Sequence, residues 1–429
     1  MPTSSPQLTS NAALELCDSM FSATSEDLIG LECEWPVRTP DDALARPDMG
    51  RLQNLTGLQL PEAGRVTLEP GGQVELSTAP LTSVSAAITA VDRDEAVIHS
   101  RLREIGYVPE FIALDAVRTP RRLLDQPRYA AMESHFDARG AVGRWMMCNT
   151  ASVQVNISND PHDPFARWNV LNRLGPVLAS MFSNSRAVDA SGKAWACARL
   201  GVWLNLDPSR SRPVPCTGNP GRDWLEYALD AKVFFIKTEG STSTAGVAVR
   251  RPFTFAEWMQ QGHELGWPTL DDFAYHLTTL FPPVRPRGWV ELRVLDGLEP
   301  AHRTAAALTV ATLCAAGVRD EVLARVPSSA HLWYAAARHG LAHPEIAAQA
   351  RIVAGLVRRH ASEVTQCAAH LDTLLAFLDT YTDRLVAPGD STWLPLPIAL
   401  EGDPVPVAPR CSPAVVAADA AVAEPFWIG

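Results

Sequence analysis

Four short runs along this chain alternate apolar with charged or amide residues, and each predicts a strand. The first is Leu31-Glu32-Cys33-Glu34-Trp35 after Gly30, and the second is Gln73-Val74-Glu75-Leu76-Ser77 after Gly72. Val153-Gln154-Val155-Asn156-Ile157-Ser158 and Val290-Glu291-Leu292-Arg293-Val294 complete the set. A strand points alternate side chains to opposite faces, so each run puts its apolar residues on one side and its acids, amides and arginine on the other. The runs lie far apart with helical segments between them, which predicts a mixed or antiparallel sheet in an α+β fold. From Ala301 to about Leu385 the pattern turns helical and Ala-rich, most clearly in Ile346–Val357 and Cys367–Leu378. Pro327-Ser328-Ser329 reads as a break and N-cap between two of those helices. The chain therefore divides into residues 1–300 with the strands, 301–387 as a helical region packed on them, and 388–429 as an extended proline-rich tail.

Composition narrows the partners. A chain of 429 residues with 47% hydrophobic content can bury a large core. Its net charge of −11 argues against nucleic acid or an anionic membrane surface. The 8 cysteines form no C-x-x-C pair, so neither a zinc site nor a dense disulfide framework is expected. With no secretory signal and no apolar stretch long enough to span a bilayer, the expected location is the cytoplasm.

The polar side of the four runs is where chemistry is expected. Glu32 and Glu34 sit two apart on one strand, which sets their Cα atoms roughly 6–7 Å apart on one face. Carboxylates so spaced can each hold one of two neighbouring Mg²⁺ ions, although a single E-x-E strand is more often only a solvated face. Glu75 follows the turn Glu69-Pro70-Gly71-Gly72-Gln73, where adjacent glycines would let backbone amides approach a phosphate. No P-loop signature is present. Glu291 and Arg293 read either as a cross-strand salt bridge or as a metal-ligating acid beside a guanidinium that grips a carboxylate or phosphate. Arg199, Asp207 and Arg210 follow an Asn184-Ser185 turn at spacings that chance often produces. The alternation over four strands together points to a nucleotide- and Mg²⁺-dependent phosphoryl-transfer site.

Longer motifs carry a family resemblance. Glu69-Pro70-Gly71-Gly72-Gln73-Val74-Glu75-Leu76-Ser77-Thr78-Ala79-Pro80 resembles the EPGGQxELSxAP signature of plant-type glutamate–cysteine ligases. Val153-Gln154-Val155-Asn156 is similar to their VQVN strand, and Arg199-x-x-x-Trp203-x-x-x-Asp207-x-x-Arg210 to their RxxxWxxxDxxR stretch. Glu226-Tyr227-Ala228-Leu229-Asp230, His276-Leu277-Thr278-Thr279-Leu280-Phe281-Pro282 and Glu291-Leu292-Arg293 resemble further elements in the same order. The likeness spans about residues 30 to 300, and the Gly30–Val37 opening looks most like the actinobacterial branch, which supplies γ-glutamylcysteine to ergothioneine synthesis. After Arg293 the plant pattern reads G-A-D, whereas Val294-Leu295-Asp296 keeps only the acid. In some bacterial relatives a histidine stands where Gln154 aligns.

The resemblance implies a glutamine-synthetase-like catalytic domain: a curved, mostly antiparallel sheet flanked by helices, whose polar face holds ATP, two or three Mg²⁺ ions and glutamate. It implies phosphorylation of the glutamate γ-carboxylate by ATP, then attack by the cysteine amine, giving γ-glutamylcysteine, ADP and phosphate. By carry-over Glu32, Glu34, Glu75 and Glu291 are metal ligands, and Gln73 and Asn156 lie near the nucleotide or the metal shell. Arg199, Arg210 and Arg293 would bind glutamate or the transferring phosphoryl group. Loops near Tyr129 to Gly143 and Ser209 to Gly221, with several Gly, Pro and Ser, are candidate covers that keep water from the acyl phosphate. A glutamate ligase with another amine acceptor, or a guanidino-kinase-like phosphotransferase, are the alternative activities.

Overall fold

The computed structural model describes residues 6–238 and 245–401. Its centre is a six-stranded sheet built from β1 (Ile29–Trp35), β2 (Arg65–Leu68), β3 (Val74–Ser77), β4 (Ser152–Ser158), β5 (Val284–Pro286) and β6 (Trp289–Asp296), in the spatial order β5-β6-β4-β1-β3-β2. Every neighbouring pair is antiparallel. The expected strands are all present, and they pair with one another although some lie more than a hundred residues apart. What sorts them is the period-2 pattern, since only one register buries each apolar side.

That apolar side, with Leu31, Cys33, Trp35, Val74, Leu76, Val153, Val155, Val290 and Leu292 buried, packs against helices. Helix α1 (Val84–Glu104) is started by the Ser83 hydroxyl, which accepts from the Ala86 amide. It covers the β1 side, while α2 (Ala166–Met181) and α3 (Pro300–Cys314) cover β4 to β6. A further layer, α4 (Pro344–Val364) and α5 (Ala368–Phe377), packs on α3. The helical region expected from 301 is thus present. Its hydrophobic contacts run without a break into the sheet's core, so residue 300 marks a change of element type within one continuous core. Gly175 in α2 shows how close the join is: a Cβ there would stand 2.2 Å from the ring of Trp333.

Two expectations need correction. Ser329 breaks the helical run and stands at the N-cap of the short helix Ala330–Leu332, but its hydroxyl makes no cap bond; it donates to the Arg173 carbonyl and ties the turn to α2. Residues 129–143 do not form a loop, because most of them belong to helices Pro127–Asp137 and Val142–Asn149. At the start of the proline-rich tail, Leu394–Leu396 forms an extended strand paired in parallel with Ala187–Asp189. Residues 402–429 lie outside the described residues.

The turn before β3 also differs from expectation. The Gly71 amide donates to the Gln73 side chain at 3.0 Å and the Gly72 amide to the Glu69 carbonyl at 2.9 Å, so neither is open to a phosphate. The glycines are required for other reasons. Gly72 has a φ of 87°, and a Cβ on Gly71 would come within 2.2 Å of the Cys148 carbonyl oxygen.

Candidate active site

The polar side of the sheet gathers its charges in rows fixed by strand register. Thr67, Glu75 and Glu34 stand side by side across β2, β3 and β1. Ser77, Glu32 and Gln154 form the next row, and Asn156, Glu291 and Arg285 another. Glu34 directly opposite Glu75 is a like-charge pair, which destabilises a bare sheet.

Each carboxylate takes donors from its surroundings. Thr67 Oγ1 donates to Glu75 at 2.5 Å. The Ser152 amide and Gln154 Nε2 donate to Glu34 at 2.8 and 3.1 Å, and Asn156 Nδ2 donates to Glu32 at 3.1 Å. Arg293 bridges two rows, donating to Gln154 Oε1 at 2.7 Å and to Glu291 Oε2 at 3.1 Å. Arg199 is buried behind it, donates to the Arg293 carbonyl at 3.1 Å and lies 3.7 Å from Asp296. Between them Trp203, Phe281, Pro282 and Pro283 wall a narrow crevice that ends on the two guanidiniums.

Charge is unevenly balanced across this face. Burial, then the nearby Glu291 and Glu75, push the Glu32 carboxyl up to about 7 despite Arg293 and Arg285. Glu75 rises to about 7 through burial and the opposing Glu34. Burial also raises Glu34, against the pull of Arg199 and Arg293. Glu291 is the opposite case: burial would lift it, but Arg285 and Arg293 outweigh burial and hold it down at about 2.

Sequence reasoning missed two residues here. Glu69 is raised well above the carboxylate range by burial and then by Glu75 and Glu34, so its carboxyl belongs to the same acid group. The signal was the Thr67-x-Glu69 alternation leading out of β2, ahead of the glycine turn. Tyr129, on the helix Pro127–Asp137, faces the same acids; burial and then Glu69 push its hydroxyl up to about 12.

Two expected site residues lie away from the acids, and a third is tightly held by arginines. Gln73 is buried in the turn, accepting from Gly71 and donating to the Thr150 carbonyl at 2.9 Å, so it braces the backbone. Arg210 is also buried away from the acids. It donates to Asp207 at 3.1 Å, to the Thr279 carbonyl at 2.9 Å and to the Lys232 carbonyl, while His135 binds the same Asp207 at 2.8 Å. Glu291, expected as a metal ligand, accepts from Arg285 at 2.5 and 3.0 Å as well as from Arg293, and these cations keep its carboxylate anionic. Glu32, Glu34, Glu75, Asn156, Arg199 and Arg293 lie together on or beside this face.

Whether this face suits Mg²⁺ can be judged from its donors. Among the described residues no three acidic, histidine or cysteine side chains already converge on one point. The chemistry of the set nevertheless fits. Glu32, Glu34, Glu69 and Glu75 are hard oxygen donors whose mutual repulsion is only partly offset by Arg293, and a divalent cation relieves that repulsion.

Comparison with known proteins places the chain. The model of glutamate–cysteine ligase family 2 matches residues 28–387. The chain belongs to that family. Among relatives of this ligase family, the glutamate–cysteine ligase EgtA of Mycobacterium tuberculosis is 35% identical over 376 residues, covering 84% of this chain and 87% of its own. The corresponding protein of Mycolicibacterium smegmatis is 35% identical over 378 residues, covering 84% and 88%. A chloroplastic glutamate–cysteine ligase of Oryza sativa is 29% identical over 244 residues, or 54% of this chain and 48% of that one. The solved glutamate–cysteine ligase of Francisella tularensis shares the fold at a TM-score of 0.54 and 14% identity, covering 86% of this chain and 84% of that one. The α+β architecture with its antiparallel sheet is therefore shared with a solved protein of low sequence identity.

Proposed function

We propose that this protein joins the γ-carboxylate of L-glutamate to the amine of L-cysteine with ATP hydrolysis, giving γ-glutamylcysteine, ADP and phosphate. The observation that carries the reading is the group of four carboxylates with Arg293 on one face of a ligase-family sheet. Glu32, Glu34, Glu69 and Glu75 would hold two or three Mg²⁺ ions, which supply neutralisation of the phosphate charge. The remaining work falls to the chain's own groups. A γ-carboxylate oxygen of glutamate attacks the γ-phosphorus, the bond to the β-phosphate oxygen breaks, and ADP leaves. Negative charge shifts between oxygens in that step, and Arg293 lies where a permanent planar cation can meet it. Its guanidinium is held in place by Gln154 and Glu291, so little reorganisation accompanies the step. The cysteine amine then attacks the acyl carbon, phosphate departs, and the nitrogen loses a proton.

Arg199, lining the crevice beside Arg293, is suited to a substrate carboxylate. Tyr129 and its helix close the acid group from the side and limit water, to which an acyl phosphate is vulnerable. The product would feed ergothioneine synthesis in a reducing cytoplasm, in keeping with the free thiols of the described cysteines. ADP release measured with each substrate alone and together tests the activity. Release should depend jointly on glutamate, cysteine and Mg²⁺, with γ-glutamylcysteine identified by mass. Equal release when cysteine is replaced by other amines, or a phosphorylated guanidine product, would sink the reading.

A further inference from the structure

Alternation along β6 puts Trp289 on the same side of the sheet as Glu291 and Arg293. Trp289 is 37% exposed, whereas Val290 and Leu292 on the other side are buried. A lone exposed tryptophan is unremarkable by itself. Three features set this one apart. Its indole N–H donates to Asn156 Oδ1 at 2.9 Å, and the amide nitrogen of Asn156 donates to Glu32 at 3.1 Å, so the ring is tied to the acid rows in one orientation. Its backbone is fixed at the turn between β5 and β6, where the Arg287 amide donates to the Trp289 carbonyl at 2.8 Å and Gly288 has a φ of 84°. The Arg287 guanidinium lies over the ring at 5.1 Å and reaches Glu291 at 3.7 Å.

The face therefore has a polar centre for phosphates and a fixed aromatic ring at one end. Four residues along a strand separate Trp289 from Arg293 by roughly 13 Å, commensurate with an extended nucleoside triphosphate. We propose that Trp289 is the platform on which the base of ATP stacks, on the ring face opposite Arg287, with the phosphates running along β6 toward Arg293. Stacking on a ring already immobilised costs little further ordering. The proposal rests on ATP being the substrate and adds which residue recognises its base.

Binding of ATP and of inorganic tripolyphosphate, each with Mg²⁺, to wild type, Trp289→Phe and Trp289→Ala separates the base from the phosphates. Trp289→Ala should weaken ATP about ten-fold or more, as loss of one base–aromatic stack does, and leave tripolyphosphate unchanged. Trp289→Phe should keep most of the ATP affinity. The emission lost between wild type and Trp289→Phe should be quenched by ATP and not by tripolyphosphate, a measurement that does not depend on the alanine variant folding. ATP affinity untouched in Trp289→Ala, equal weakening of both ligands, or no ATP-specific quenching would each overturn the assignment. A wild-type protein that binds neither ligand would overturn the ATP reading itself, and this proposal with it.

Discussion

Arg293 sits between two explanations that a single substitution separates. If it only pairs with Glu291, lysine keeps the charge and turnover survives. The guanidinium, however, meets Gln154 and Glu291 together and borders the crevice with Arg199, which uses the planar fork that lysine lacks. Arg293→Lys is therefore expected to lower glutamate-dependent turnover on the order of 10²-fold, by analogy with loss of one transition-state donor, while the melting temperature barely moves. Intact kinetics with a lowered melting point would make Arg293 structural. Glu69 allows a sharper test of the acid group. Glu69→Gln keeps the size and neutrality toward which burial and the neighbouring Glu75 and Glu34 drive this carboxyl, so the metal-free protein should melt no lower than wild type. Its Mg²⁺-dependent turnover should nevertheless fall roughly 10²–10³-fold. A normal rate at saturating Mg²⁺ would remove Glu69 from the site.

At the level of elements, the strands carry the chemistry and the segments between them hold it in place. Arg210 belongs to the second group. Its donors join the 207–211 segment to the carbonyls of Thr279 and Lys232, and through Asp207 to His135 on the helix that bears Tyr129. Breaking a buried pair by removing one partner typically costs about 3–5 kcal/mol, so Arg210→Met, which takes the cation away from Asp207, should lower the unfolding free energy by that order. The glutamate KM of the folded fraction should stay near wild type. A raised KM with unchanged stability would return Arg210 to the substrate. The turn before β3 follows the same logic: its glycines answer the approach of the Cys148 backbone, and its glutamine answers carbonyls left over at the end of a helix.

For the whole molecule, stability should carry a mark of buried histidine. His276 lies in the core with Nε2 against the Ala228 carbonyl at 3.0 Å, and burial, helped by Arg210, pushes it down to about 3. The native state thus keeps His276 neutral where the unfolded chain, with an ordinary value near 6.5, takes up a proton. Its contribution is complete above about pH 6.5 and is lost as pH falls toward the native value, at up to roughly 1.4 kcal/mol per pH unit. His276→Gln, which can still donate to Ala228, should flatten that part of the stability curve in denaturant unfolding across acid pH. Identical slopes for the two proteins would show that His276 does not titrate this way. Among the described residues no helix is long and apolar enough to cross a membrane.

Period-2 alternation over 31–35, 73–77, 153–158 and 290–294 determined the strands, their polar face and the acids, amide and arginine that stand on it. It could do so because strand geometry converts sequence parity directly into sidedness. The helical region after 300 was legible for the same kind of reason, at a period near 3.6. Partnership was not legible. Gln73 and Arg210 match the family motifs as well as Glu75 and Arg293 do, yet the fold spends their donors on carbonyls brought in from Thr150, Thr279 and Lys232. Glu291 likewise gained its arginine partner only because the β5–β6 pairing sets Arg285 across from it. Glu69 and Tyr129 joined the acids through a turn and a helix whose positions depend on contacts distant in sequence. Local pattern fixes which way a side chain points, and only long-range packing decides what it meets there.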